Sequence, residues 1–305
     1  MSLVVVGSVA YDSIETPHGR VDRTLGGAGI YISLAASFFT KVRLVAVVGE
    51  DFRDEDRQLL VRRGVDLSGL ERLPGKTFFW SGVYSADMNE RTTLRTELNV
   101  FAEFMPRLPE HYLGMPYLML GNIQPGLQRA VRDQMRGPLF TGGDTMNYWI
   151  HGERDELLAA LKTWDFLLIN DGEARELSGE NSLRRVAKAI QAMGPRTVVI
   201  KRGEYGAVLF HDDECFSLPG YLLENVMDPT GAGDSFAGGF IGYLAEQGLD
   251  PSRGGIDGRL LRNAVVYGST MGSFCCEKFG VERFHELTRA EIDGRFQEFK
   301  ALTNF

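Results

Sequence analysis

The run Asp228-Pro229-Thr230-Gly231-Ala232-Gly233-Asp234-Ser235-Phe236 decides the fold. Gly231 and Gly233 let the backbone approach a ligand closely. The residues that follow place Phe236, Phe240 and Leu244 at i, i+4 and i+8, the spacing of a helix with a buried face. A helix that starts on glycines offers free N–H groups and the positive end of its dipole, which together make an anion site. A carboxylate in that first turn, Asp234, is out of place beside an anion unless it serves a reaction. An acid next to a phosphate pocket suits a base that takes the proton of an attacking hydroxyl. The plainer reading makes Asp234 an N-cap carboxylate on a glycine-rich turn.

Working outward, short apolar runs alternate with amphipathic stretches. Strands are predicted over 3–6, 42–48, 117–120, 139–141, 166–169, 197–200 and 207–210. Helices are predicted over 30–39, 54–63, 127–135, 154–164, 183–193, 234–246, 259–275 and 289–300. Several strands are continuous apolar runs, as expected where both faces are covered. The alternation predicts an α/β fold, a doubly wound, mostly parallel sheet with helices on both faces. Two segments break it. Residues 14–25 are polar and turn-rich, and 78–85 with 92–100 read as a hairpin-like pair around 85–89. They predict a small antiparallel β lid over a cleft, the competing reading being a hairpin that only packs. The expected organisation is one domain over 1–305, with lid segments at about 12–25 and 75–103.

Composition narrows the function classes. The 305 residues are 44% hydrophobic and 24% charged, which excludes a disordered chain, a disulfide miniprotein and a collagen-like rod. Lys+Arg 33 against Asp+Glu 41 gives a net charge of −8 with no basic block, so a nucleic-acid partner is not expected. No apolar run approaches the roughly 20 residues a membrane span needs, and no secretory signal is visible. Cys215, Cys275 and Cys276 form neither a disulfide framework nor a zinc motif, and a cytoplasmic location with reduced thiols is expected. His18, His111, His151, His211 and His285 are scattered without ligand spacing and read as surface or cap residues.

The Asp-x-Thr-Gly-Ala-Gly-Asp run resembles the signature of the ribokinase/PfkB family of carbohydrate and nucleoside kinases, and the resemblance extends over most of the chain. It implies a ribokinase-like fold and a phosphotransferase that moves the γ-phosphoryl of ATP to a hydroxymethyl group of a sugar or ribonucleoside. By match, the amides of Gly231, Ala232 and Gly233 form the anion hole, Asp234 is the catalytic base, and Thr230 lies on the nucleotide side.

Gly26-Gly27-Ala28-Gly29 resembles the family's diglycine, where substrate hydroxyls lie against backbone, although a tight turn would need the same residues. Tyr31 stands where the family usually has Asn, replacing an amide with a flat ring that can stack or close the pocket. Asp12 resembles the family's acceptor-binding Asp; one carboxylate can accept from two vicinal hydroxyls, the alternative being a turn residue.

Asn170 and Glu173 match an Asn-x-x-Glu element associated with magnesium and its waters, and they equally suit a helix-start cap pair. Gly203, Gly206 and Asn263 resemble nucleotide-side residues, with turn glycines and a helix-surface Asn as rivals. Asp228 matches a residue of a potassium-type monovalent-cation site in many members. Asp144 and Asn147 resemble a loosely matched loop and read as scaffold near the site. Tyr11, Phe78, Phe79 and Trp80 are rings able to meet a flat base, while Arg91 and Arg95 keep a phosphorylated acceptor open.

A homodimer through the lid is compatible with the pattern. A non-catalytic nucleotide or sugar sensor would dispense with Asp234 or the glycines, and both are present. A nicotinamide oxidoreductase would need a Gly-x-Gly-x-x-Gly run after the first strand, and Gly7 does not begin one.

Overall fold

The apolar runs fold as strands. In a computed structural model of the chain, which describes residues 1–138, 140–253 and 256–304, the strands are β1 (Ser2–Val6), β2 (Ala10–Thr16), β3 (Gly19–Gly26), β4 (Lys41–Val48), β5 (Asp66–Arg72), β6 (Phe78–Tyr84), β7 (Arg91–Glu97), β8 (Tyr117–Leu120), β9 (Phe140–Gly143), β10 (Phe166–Asn170), β11 (Thr197–Lys201), β12 (Ala207–His211) and β13 (Glu214–Leu218). Leu139, expected to open the strand over 139–141, lies outside the described residues.

Nine strands form one sheet in the order β13-β12-β11-β10-β9-β8-β1-β4-β5, parallel except at β11–β12 and β12–β13. Four form a smaller sheet in the order β3-β2-β6-β7. The smaller sheet consists of two antiparallel hairpins, β2–β3 and β6–β7, joined by a parallel β2–β6 seam.

Side chains of a strand alternate between faces, and the core follows that rule. Leu3 and Val5 of β1 enter one apolar cluster while Val4 and Val6 enter the other. Helices Ala28–Ala36, Ala232–Glu246 and Gly258–Cys275 cover the first face, and Pro125–Gln134, Arg154–Leu161, Asp171–Ser178 and Leu183–Gln191 cover the second.

Two helices depart from the expected single buried stripe. Helix Ala28–Ala36 is buried along its whole length, as is Ala232–Glu246 from Ser235 to Ala245. Each lies between neighbours on both sides, and glycine makes this possible. A Cβ at Gly238 would fall 2.4 Å from the Ile32 carbonyl oxygen, and one at Gly239 would fall 2.6 Å from that of Tyr267.

The polar stretch 14–25, read as turns, is strand on either side of a tight connection, because pairing β2 with β3 satisfies backbone that its side chains do not bury. The second hairpin ends at Glu97, earlier than expected, and Asn99–Glu103 turns as a 3₁₀ helix. Strands β5 and β13 gave no signal in the sequence because they are sheet edges with mostly unburied side chains.

Candidate active site

The carboxyl ends of parallel strands and the small sheet converge on the helix that opens with the Gly-Ala-Gly run. Gly231 caps that helix at φ 77°, a left-handed conformation that favours glycine. A Cβ at this position would lie 2.5 Å from the ring of Tyr31, so the buried Tyr31 ring underlies the glycine turn. The Tyr31 hydroxyl has no hydrogen-bond partner among the described residues, and burial raises its pKa, with the charges of Cys275, Asp12 and Asp228 adding to the effect.

Upstream, Asp228 is fully buried: its Oδ1 accepts from the Thr230 amide at 2.8 Å and its Oδ2 from the Gly280 amide at 2.9 Å. These bonds fix the loop entering the helix. The Thr230 hydroxyl meets Tyr84 Oη of β6 at 3.0 Å, and Asn89 Nδ2, in the β6–β7 turn, donates to Glu204 Oε1 at 3.4 Å. The small sheet is therefore tied both to the loop that enters this helix and to the turn between β11 and β12.

Asp12 lies on β2, buried, opposite this helix start. Gly26 makes room for it, since a Cβ there would sit 1.9 Å from Asp12 Oδ2. Gly27 has φ 92°, and a Cβ would come within 2.5 Å of the Ser8 carbonyl oxygen. The diglycine thus fits its loop against both β1's exit and the Asp12 carboxylate. Gly27→Ala is expected to destabilise the protein by at least about 1–3 kcal/mol from backbone strain alone, read as a lower urea midpoint at unchanged slope.

Three neighbouring parallel strands supply the opposite wall. Asp144 follows β9, Asn170 ends β10 and Lys201 ends β11, with Asn170 and Lys201 as cross-strand partners. Open α/β sheets place ligands at such strand ends. Asn170 and Glu173 form a reciprocal capping box at the start of helix Asp171–Ser178. Lys201 Nζ donates to Asp144 Oδ2 at 2.8 Å, and both side chains are largely buried.

Burial and crowding of like charge raise three carboxyl groups here. Asp234 is pushed up to about 7, by desolvation first and then by Asp144, with Lys201 and Arg91 opposing. Glu173 is pushed up to about 7 by the same leading causes. Asp12 rises to about 8 through desolvation and the charges of Asp228 and Asp234. Strongly shifted acids gathered in a cleft mark a functional site.

The structure thus brings together Asp12, Gly26, Gly27, Tyr31, Asp228, Thr230, Gly231, Ala232, Gly233, Asp234 and Glu173, with Asn170 adjoining. Gly206, by contrast, packs against the Leu218 carbonyl, and Asn263 donates to Tyr243 Oη at 3.3 Å on the neighbouring helix; neither contact touches the carboxylate cluster. Gly203 reaches the site's edge through the turn that carries Glu204.

Tyr11, read as a ring open to a base, is occupied: its hydroxyl donates to Asp56 Oδ2 at 2.6 Å, and the Arg23 guanidinium lies 4.0 Å over its face. Phe78 stacks on Phe101, and Trp80 and Phe79 lie beneath Arg91 and Arg95. Sequence reasoning passed over Lys201, and it placed Asp144 in the scaffold. The available signal was position: Lys201 is one residue past an apolar strand, where the sheet meets its ligands.

Comparison with known proteins agrees with this architecture. A family model described as pfkB family carbohydrate kinase matches residues 1–286. A cytidine kinase of Thermococcus kodakarensis is 32% identical over 257 residues, covering 82% of this chain and 91% of the relative. Among solved structures, a Burkholderia thailandensis nucleoside kinase in complex with inosine superposes with a TM-score of 0.75 at 20% identity, covering 98% of both chains. A Vibrio cholerae fructokinase in its fructose, ADP and calcium ion bound form gives 0.75 at 19% identity, covering 97% of this chain and 98% of that one. The chain belongs to the pfkB family of carbohydrate kinases, and it is a kinase.

Proposed function

We propose that the protein transfers the γ-phosphoryl of ATP to the hydroxymethyl group of a ribonucleoside. The observation that carries the reading is the placement of Asp234, a carboxyl raised to about 7, in the first turn of the helix that Gly231 opens, across the cleft from the buried Asp12. Asp12 holds the acceptor's vicinal diol, with Gly26 and Gly27 as its backbone wall. Gly231, Ala232 and Gly233 amides meet the terminal phosphates, the Ala232 N–H giving up its 3.1 Å bond to the Pro229 carbonyl oxygen. Asp234 takes the proton of the attacking hydroxyl as the phosphoryl group passes in line.

Tyr31 supports the anion hole from beneath and sets the depth of the acceptor pocket. Thr230, Gly203, Gly206 and Asn263 line the nucleotide side. The fold acts as one domain, with segments near 12–25 and 75–103 as its lid. A second copy pairs at the open edge of β7, and the protein works in the cytoplasm. No helix among the described residues is long and apolar enough to cross a membrane.

Magnesium fits the oxygen donors present. The capping box engages Glu173 Oε2 with the Asn170 backbone N–H and Asn170 Oδ1 with the Glu173 N–H, which leaves Glu173 Oε1 as the oxygen for a hard cation that keeps several waters. Asn170 and Glu173 would hold it largely through water, and when bound it neutralises charge on the phosphates. Each Asp228 oxygen, engaged with one amide, retains a lone pair, so a potassium ion also fits there.

The cytidine kinase relative supports the choice of a nucleoside over a free sugar, and the test is a panel. ATP consumption is measured with ribonucleosides, 2′-deoxyribonucleosides, free sugars, cyclitols and sugar phosphates. A ribonucleoside is expected to give the highest kcat/KM, with the 2′-deoxy analogue at least tenfold worse through loss of one hydroxyl at Asp12. A free sugar or cyclitol in first place would overturn the nucleoside assignment, and no consumption with any member would favour a sensor.

A further inference from the structure

We propose that Lys201 is a catalytic residue: its ammonium, parked on Asp144, contacts the oxygens of the migrating phosphoryl group beside the Gly233 amide. This rests on the kinase reading of Gly231–Asp234 given above. A Cβ built on Gly233 would lie 3.1 Å from Lys201 Nζ and within 4 Å of its Cε. The charged end of Lys201 therefore stands next to the backbone that would receive the phosphate. An anion seated on those amides lies within reach of the ammonium.

The chemistry of the pair points the same way. An ammonium has three N–H donors, and Asp144 is its hydrogen-bond partner among the described residues, so donors remain for a ligand oxygen. A buried ion pair is a poor stabilising device, because desolvating two charges offsets their attraction. Its position is what distinguishes it, at the carboxyl ends of β9 and β11, facing the helix start. The groups around Nζ are Asp144 after β9, Glu173 on helix Asp171–Ser178 and Asp234 on helix Ala232–Glu246, with Arg91 of β7 acting on Glu173 and Asp234. Three carboxyl groups around one buried ammonium keep it charged, and they leave the cleft short of positive charge for a triphosphate.

In phosphoryl transfer, charge spreads over the oxygens of the group in flight, and a cation already fixed there stabilises that state without reorganisation. Lys201 meets this need from the protein itself. Asp144 acts through Lys201 and is a positioning residue: it keeps the long side chain extended across the strand ends.

The test uses the full chain. Lys201→Met strands Asp144 as an unpaired buried acid, so the informative variant is Lys201→Met with Asp144→Asn, which removes both charges together. Lys201→Arg is made in parallel. We measure kcat, KM for ATP and calorimetric affinities for ATP, ADP and AMP.

The double variant is expected to fold with a normal melt, to lose about 10²–10³-fold in kcat, and to bind ATP about tenfold more weakly while AMP binds within twofold of wild type. Lys201→Arg is expected to recover part of kcat. A double variant within threefold of wild type in kcat and ATP affinity would overturn the proposal. So would an equal loss for all three nucleotides, which would mark a structural role. Asp234→Asn assayed alongside separates the two readings: if that variant stays active, the kinase site itself is misplaced. If it is dead while the double variant is unimpaired, only the role of Lys201 fails.

Discussion

Asp234→Asn is expected to lower kcat by about 10²–10⁴-fold, the usual contribution of a positioned base, while ATP binds within severalfold of wild type. The substitution preserves shape while it exchanges one acceptor oxygen for an NH2 donor and removes the charge together with the proton affinity. Steady-state turnover with calorimetric ATP binding checks both halves. Wild type should carry a second signature of the same group. The Asp234 carboxyl is raised to about 7, chiefly by desolvation and next by Asp144. A base works only when ionised, so kcat/KM rises with pH through about 7 and is lost below it. Asp234→Asn loses the share of that limb that Asp234 supplies, and what remains follows Glu173 and Asp12, which are raised to about 7 and about 8. A variant that keeps near-normal turnover, or a pH profile identical to that of wild type, would move the base elsewhere.

Asp12→Asn is expected to show its effect in two different measurements. Its carboxyl is the proposed seat of two acceptor hydroxyls. Asn keeps one acceptor oxygen and turns the other into an NH2 donor, so one of the two hydrogen bonds is lost, which lowers acceptor kcat/KM by about 10–10²-fold with KM for ATP little changed. The same substitution reports on stability with a definite sign. Asp12 rises from an ordinary carboxylate value to about 8 when folded, because burial and the charges of Asp228 and Asp234 disfavour its ionised form. The folded state then binds the proton more tightly than the unfolded chain, so this group's contribution falls as pH climbs from about 4 to 8. Asn does not titrate.

Wild type should therefore lose roughly 2–5 kcal/mol relative to Asp12→Asn between pH 5 and pH 8 in the absence of ligand. Urea melts of both proteins at the two pH values give the difference. Equal pH dependence would mean that Asp12 is solvated and free to ionise, unlike the buried side chain described here.

The parts of the fold legible in the sequence were those whose physics is local. Continuous apolar runs such as 117–120 and 166–169 are strands because both faces of the parallel sheet are covered, and the structure places them there as Tyr117–Leu120 and Phe166–Asn170. Two glycines before an amphipathic run mark a helix start, and the helix begins at Ala232.

What escaped was set by distant partners. Strand β5 gives no signal of its own until β4 pairs with it, and 14–25 reads as turns because most side chains of β3 stay unburied and its pairing with β2 makes it a strand. Lys201 escaped for a similar reason: in the sequence it is one polar residue after a strand. Only the sheet order β9-β10-β11 brings it to Asp144 and Gly233. Tyr31 shows the reverse case. Its position after the diglycine was plain, but its packing beneath Gly231 depends on how helices Ala28–Ala36 and Ala232–Glu246 approach each other.

The most direct measurement is a crystal structure of the protein with ADP, aluminium fluoride as phosphoryl mimic, magnesium and the best acceptor from the panel. The expected density puts the fluoride at the Gly231, Ala232 and Gly233 amides, with the acceptor's hydroxymethyl oxygen between it and an Asp234 oxygen. A closed turn at Gly231, or a mimic bound with the Asp234 carboxyl directed away from it, would contradict phosphoryl transfer at this helix.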